Sequence, residues 1–278
     1  MAKSRQRRII LPGVRANLGL AAEYRKRLER LIEEMHHSVT YWLLAAYRKN
    51  EPAIADIDPE DGPLAQDAAP ADALRRTIAG LRKRWIRRFN EGAEELAAWF
   101  AQAVGDRSDT QLKQILKRAG FAVEFHMTPA QRDILKATVQ QNVSLIKSIP
   151  VQYLAHVEQS VMRSVQVGRD IGGLAKELET HFGVTKRRAQ FIAQSQNEMA
   201  TGALNRARQL ELGITEAIWC HSHGGKTPRP SHVKAGAEKQ VYDVAKGWFD
   251  PDEQKFILPG ELPRCRCFSR SIIKSFGG

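Results

Sequence analysis

The sequence predicts a mainly α protein: a helical bundle followed by a small C-terminal α+β module. Three observations carry this reading. Apolar residues recur at helical spacing through most of residues 18–213. Beyond Gly213 that period disappears, while Gly, Pro and aromatic residues rise. All three cysteines of the chain, and three of its eight histidines, lie in this last stretch.

Composition sets the outer limits. A chain of 278 residues suffices for one large or two ordinary domains. No apolar run approaches the roughly 20 residues of a membrane span, so no membrane partner is expected. Ile9-Ile10-Leu11, closed by Pro12-Gly13, is too short for the apolar region of a signal peptide. A reducing, cytosol-like compartment is the expectation. The net charge of +12 favours a polyanionic partner or, equally well, solvates helix faces.

Taken in order, residues 1–17 form a basic N-terminal arm with no folded element expected. Residues 18–148 form a helical region interrupted by an acidic loop, 51–72. In the first helix, Tyr24, Leu28, Leu31, Met35, Trp42 and Ala46 are the expected apolar stripe, with His36 and His37 structural or facing solvent. The loop holds seven acids, from Glu51 to Asp72, and no Lys or Arg. Pro52, Pro59, Pro63 and Pro70 exclude a regular helix there. Its carboxylates lack the spacing of a calcium loop.

In the second helix, Leu74, Ile78, Leu81, Trp85 and Phe89 form the buried stripe. Arg75, Arg76, Arg82, Lys83, Arg84, Arg87 and Arg88 cover much of the rest. Such a basic face suits phosphates or an acidic partner, or pairs with acids of its own chain. Ser108…Gln111 and Thr128…Gln131 fit the capping-box pattern, which places helix starts near Asp109 and Pro129. Residues 120–126 between them read as a short extended piece.

Residues 149–213 are the helical part of a further domain. Pro150 is expected to open one helix, with Tyr153 or Leu154, Val157, Val161 and Val165 inward and Gly168 as its stop. Ile171, Leu174 and Leu178 make a short one ended by Gly183. Arg187 to Leu210 makes a longer one ended by Gly213. Residues 214–278 are the Cys/His α+β module, with short strands expected around 217–219, 240–242, 256–258 and 266–268.

The module is where chemistry concentrates. Cys265 and Cys267 are two apart, so on a strand both sulfurs would share a face. A bridge between them would be strained, whereas two thiolates suit a soft cation such as structural zinc. His232 is the natural third ligand, and Cys220, His221 or His223 the fourth. The alternatives are cysteines acting as small buried hydrophobes around a hydrogen-bonded His232, or a disulfide of Cys220 with one of the pair. Arg229, held between Pro228 and Pro230, is placed to fork onto an anion. By default it ties its loop to the module's own backbone. A metal with these histidines and Glu238 or Asp243 would suit phosphodiester hydrolysis, but nothing in the sequence places those carboxylates. A Cys–His nucleophile lacks an identifiable third group. No catalytic residue is assigned.

Trp219, then Arg229-Pro230-Ser231-His232, Gly236, Pro259-Gly260 and Cys265-Arg266-Cys267, resembles the C-terminal signature of the Mu-F-like phage head-morphogenesis family. These are minor head proteins of tailed bacteriophages. Arg188 to Glu198 resembles the helix that precedes this module, so the resemblance runs from about Ile149 onward. It singles out His232, Cys265 and Cys267 and leaves Cys220, His221 and His223 outside the pattern. It implies a non-enzymatic, low-copy virion protein that acts in head assembly by docking to portal and major capsid protein. Packaged double-stranded DNA is a further candidate contact, and the host cytoplasm the place of assembly. The rival reading is a DNA-binding or metal-dependent nuclease protein.

Overall fold

The computed structural model describes residues 8–49, 69–166, 171–225 and 227–274. The fold is mainly α with a small C-terminal module of strands. Among the described residues the order is β1 (Arg8–Ile10), α1 (Leu18–Lys49), α2 (Ala69–Arg118), α3 (Pro129–Gln166), α4 (Ile171–Glu211), β2 (Glu216–Cys220), α5 (Pro230–Ala237), β3 (Val241–Asp243), β4 (Trp248–Asp250), β5 (Lys255–Ile257) and β6 (Phe268–Lys274). Two compact units result. One comprises residues 25–95 and 142–190; the other comprises residues 1–24, 96–141 and 191–278.

The first unit is four helical segments around an apolar interior. Along α1 the buried residues are Leu28, Ile32, Met35, Val39, Leu43 and Tyr47, spaced by three and four. This corrects the expected stripe: Leu31 and Ala46 are only half-buried, and Trp42 is 51% exposed. Along α2 the expected stripe is the observed one, with Leu74, Ile78, Leu81, Trp85 and Phe89 all buried. Polar ties complete the unit. Buried His36 bonds Tyr153 Oη at 2.8 Å and Glu179 at 3.0 Å and stacks on Phe182, whereas His37 is exposed. Tyr47 meets Ser164 at 3.0 Å, so Ser164 is buried in place of the expected Val165.

Several predicted breaks are absent. Helix α2 runs through Ser108 without a new start, and Ser108 is buried. Helix α3 runs through Pro150, which lies in its interior beside buried Ile146 and Ile149. Helix α4 runs through Gly183. The cap at Thr128 does form: Gln131 N donates to Thr128 Oγ1 at 3.3 Å, and Thr128 N to Gln131 Oε1 at 3.4 Å. Helix α2 begins at Ala69, so the end of the expected acidic loop is helical. Residues 50–68 and Gly168 lie outside the described residues.

The second unit is built on a four-stranded antiparallel sheet of order β1-β6-β2-β3, with β4 and β5 as a separate hairpin. Strand β1 corrects the reading of residues 1–17 as an unfolded arm. Arg8 to Ile10 pair with Ile272 to Lys274, and Leu11 and Val14 are 1% and 5% exposed. Those two side chains join Leu112, Ile115 and Leu116 of α2 and the coil at Phe121, Val123 and Phe125 in one apolar cluster. Of residues 120–126, Gly120 closes a turn with φ 88°, and residues 121–126 form no helix or strand.

Helix α4 sends a polar row into the sheet. Asn205 donates to Ser269, and Gln209 to Ser269 and Ser271. Arg208, 3% exposed, is held by Asp109, Glu211 and the His126 carbonyl. Burial works against its charge, but the hydrogen bonds to the two carboxylates outweigh that and raise its pKa.

Candidate metal centre in the C-terminal module

Strand β2, helix α5, hairpin β4–β5 and the loop before β6 converge on one buried cluster. Helix α5, which the sequence reading does not anticipate, starts at Pro230. Proline suits the first helical position because its missing N–H has no intrahelical partner there. The helix buries Ser231, His232 and Ala235. Trp219 of β2 is fully buried. It meets His232 edge-on at 5.0 Å and Trp248 at 5.1 Å between ring centres.

His232, Cys265 and Cys267 come together. One ligand atom from each lies within 4.8 Å of the others, and all three residues are buried. His232 Nδ1 is 3.5 Å from Cys265 Sγ and 3.7 Å from Cys267 Sγ. A zinc ion at about 2.3 Å from sulfur and about 2.0–2.1 Å from nitrogen, in tetrahedral geometry, sets that separation at about 3.6 Å. Both nitrogen–sulfur separations therefore match a tetrahedral zinc site. The cysteines are not on a strand: β6 begins at Phe268. A turn closed by Cys265 N to the Leu262 carbonyl, with Arg264 in the left-handed region (φ 62°), aims both sulfurs at one point instead.

The surroundings favour this use. His232 Nε2 bonds Asp250 Oδ2 at 3.1 Å, and Asp250 is fully buried. A carboxylate behind the imidazole fixes its tautomer and turns Nδ1 toward the sulfurs. Burial raises the Asp250 pKa, but the Asp252 backbone N–H, Ser231 and His232 overcome that and hold it below the usual range. Burial likewise works against His232 protonation, yet Cys265 and Asp250 raise its pKa overall. The hydrogen bond from Cys267, helped by His232, pulls Cys265 down to about 4, and Cys267 goes up. Trp219 Nε1 is buried with no nitrogen or oxygen partner among the described residues, and it favours the thiolate of Cys267. An orphaned buried donor beside sulfur is what a thiolate ligand calls for.

The other expected ligands are not brought in. Cys220 is half-buried, with its sulfur 3.8 Å from the Ile218 carbonyl. Alternation along β2 explains this, since Trp219 takes the cluster face and its neighbour the opposite one. His221 and His223 contact each other, with ring nitrogens 3.4 Å apart, outside the three-residue group. All three cysteines are free, so no Cys220 disulfide forms. Of the carboxylates weighed for catalysis, Asp243 caps the turn at Ala245 and Lys246, and Glu238 is exposed at the end of α5. The carboxylate that does reach the cluster, Asp250, is not among those the sequence singles out.

The motif residues have geometric reasons. A Cβ on Gly236 would meet His221 Cβ at 2.6 Å, so α5 closes onto β2 only with glycine there. Gly260 has φ 86° and lies against the Glu198 carbonyl, and Pro259 beside it is buried. Arg229 bonds the Pro263 carbonyl and Glu253, both at 3.3 Å. Helix α4 backs the cysteine loop: Arg266 reaches Gln194 at 3.3 Å, Arg264 stacks on Phe191, and Arg264 N bonds Ser195. Glu198, on the same face, has its carboxyl pushed up to about 7 by burial, with Arg266 opposing.

The basic residues of α2 divide. Arg82 pairs with Glu158 at 2.6 Å and Arg87 loosely with Glu91 at 3.7 Å. Arg75, Arg76, Lys83, Arg84 and Arg88 are exposed, and no ion pair is seen for them among the described residues. No acid occurs between Ala73 and Asn90. No described helix is long and apolar enough to cross a membrane.

Fold and site together define a helical protein with a cysteine-histidine knot at its C-terminal end. Residues 155–270 match the family described as phage Mu protein F like protein. A Haemophilus influenzae (strain ATCC 51907 / DSM 11121 / KW20 / Rd) protein, described only as uncharacterized, is 30% identical over 184 residues. The match takes in 65% of this chain and 39% of that relative, so the chain spans about two fifths of its length. No solved structure matches the chain.

Proposed function

We propose that the protein is a minor head component of a tailed bacteriophage or prophage, acting in head assembly by docking to portal and major capsid protein. The observation that carries this reading is the family match over residues 155–270, which takes in the whole cluster and the α4 face behind it. A centre buried to a few per cent suits a stiff docking knob better than turnover. His232, Cys265 and Cys267 hold zinc in this reading, with Asp250 and Trp219 supporting the ligands. Zinc there supplies a cross-link for a module whose sheets are short. The test is co-expression with the portal and major capsid proteins of the same phage, followed by sedimentation. The full chain is expected to travel with portal or shells; a chain that stays in the soluble fraction overturns the docking reading.

One observation supports a DNA contact as well: the run of cations on α2 with no ion pair among the described residues. Bound double-stranded DNA would release counterions, so affinity would fall steeply with salt. Among the described residues no carboxylate joins the three-residue ligand group that the nuclease alternative would use, and Asp250 is committed to His232. Plasmid nicking that depends on divalent metal and is lost in His232→Ala would restore it.

A further inference from the structure

The geometry points to a centre that is incomplete within one chain: its fourth coordination position faces a cleft and takes a carboxylate side chain from a partner protein. This rests on the metal reading above. Among the described residues only three supply ligand atoms that converge, while zinc takes four. His232, Cys265 and Cys267 line a cleft of about 280 Å³, so the cluster is reached from outside along one side. The rim of that cleft carries Arg229, Arg264 and Arg266.

Two of those arginines are committed, Arg229 to Glu253 and Arg266 to Gln194 and a backbone carbonyl. Arg264 is different. It is exposed, no acid pairs with it among the described residues, and it is held by stacking on Phe191 and by a left-handed backbone at φ 62°. A non-glycine residue in that region is strained, and the cation it presents is positioned before any anion arrives. Two thiolates and a dication cancel, so the arginines leave the cleft positive. An oxygen anion is the ligand that satisfies both the metal and Arg264.

Depth decides between anion sources. The ligand residues are 2–5% exposed, below the surface of the cleft they line. A flexible Asp or Glu side chain reaches there, whereas the phosphates of a stiff duplex do not. A carboxylate contributed in trans would tie the module to a neighbour in the assembled head, which makes the metal part of the docking surface.

The experiment is a visible-absorption titration of the full chain loaded with Co²⁺. Acetate is expected to change the cobalt spectrum saturably. Arg264→Ala should weaken that response about fivefold or more, the effect of removing one charge-assisted hydrogen bond. Inorganic phosphate binding more tightly than acetate would overturn the carboxylate assignment in favour of a phosphate. A cobalt spectrum indifferent to both anions but altered by His221→Ala would mean a closed site whose fourth ligand is His221. A spectrum indifferent to both anions and to that substitution would also overturn the open position. In all three cases the metal reading survives. Failure to take up cobalt at all would defeat the metal reading itself.

Discussion

At the residue scale, Asp250 is the most informative side chain in the module. It touches no candidate ligand atom directly, yet it fixes which nitrogen of His232 faces the sulfurs. Replacing Asp250 by Asn should weaken zinc affinity about 10–100-fold, measured by competition with a chromogenic chelator. Cys265→Ser should abolish stoichiometric binding outright. Equal affinity in wild type and Asp250→Asn would remove the carboxylate from the account. In the four-helix unit, His181 gives a pH prediction. Its pKa lies below the usual 6.5 because burial, then neighbouring His156, disfavour the cation. A lowered histidine binds fewer protons folded than unfolded. Its contribution is therefore present above pH 6.5 and is lost as pH falls through the folded value. Thermal stability should decline on acidification through that window, and His181→Gln should flatten the decline.

At the scale of elements, what is legible in the sequence follows from burial pattern, and what is not follows from tertiary override. The stripe Leu74 to Phe89 is readable because each turn shows one apolar residue against a basic background. On α1 the candidates are ambiguous: Trp42 looks like core, but Leu43 takes the buried position, one residue on. Pro150 reads as a helix start because proline denies its N–H to the i−4 carbonyl. Burial of Ile146, Ile149, Tyr153 and Leu154 across it keeps α3 continuous. The convergence of Cys265 and Cys267 is legible from Cys-x-Cys, and that of His232, one of three histidines in the module, from the family resemblance. Asp250 and helix α5 are not, because a carboxylate 18 residues away and an eight-residue helix among Gly and Pro neighbours leave no periodic signal. Strand β1 is hidden by its basic surroundings. Since Leu11 is 1% exposed within an apolar cluster, Leu11→Ala should cost about 2–4 kcal/mol, read from the denaturant midpoint. A cost under about 0.5 kcal/mol would show that the N-terminal segment is only peripheral. On α2, if DNA is bound there, Arg76→Glu, Lys83→Glu and Arg88→Glu together should reduce the slope of log affinity against log salt. The reduction is about 0.9 for each phosphate that is no longer neutralised. An unchanged slope would assign this face to a protein partner or to solvent.

At the scale of the whole molecule, the family match, the buried cluster and the α4 face behind it coincide in residues 155–270. The proposed role is attachment: a module cross-linked through His232, Cys265 and Cys267 and backed by α4 would be stiff enough to dock. Assembly should therefore fail in a specific way. Cys265→Ser with Cys267→Ser should leave the helices folded by circular dichroism while the chain no longer joins heads. The measurement that tests the central claim most directly is quantitative mass spectrometry of purified, DNA-filled heads of the proposed parent phage or induced prophage. The account predicts a few copies per particle, retained with portal protein and absent from heads carrying the double serine variant. Mature heads that lack the wild-type chain altogether would contradict it.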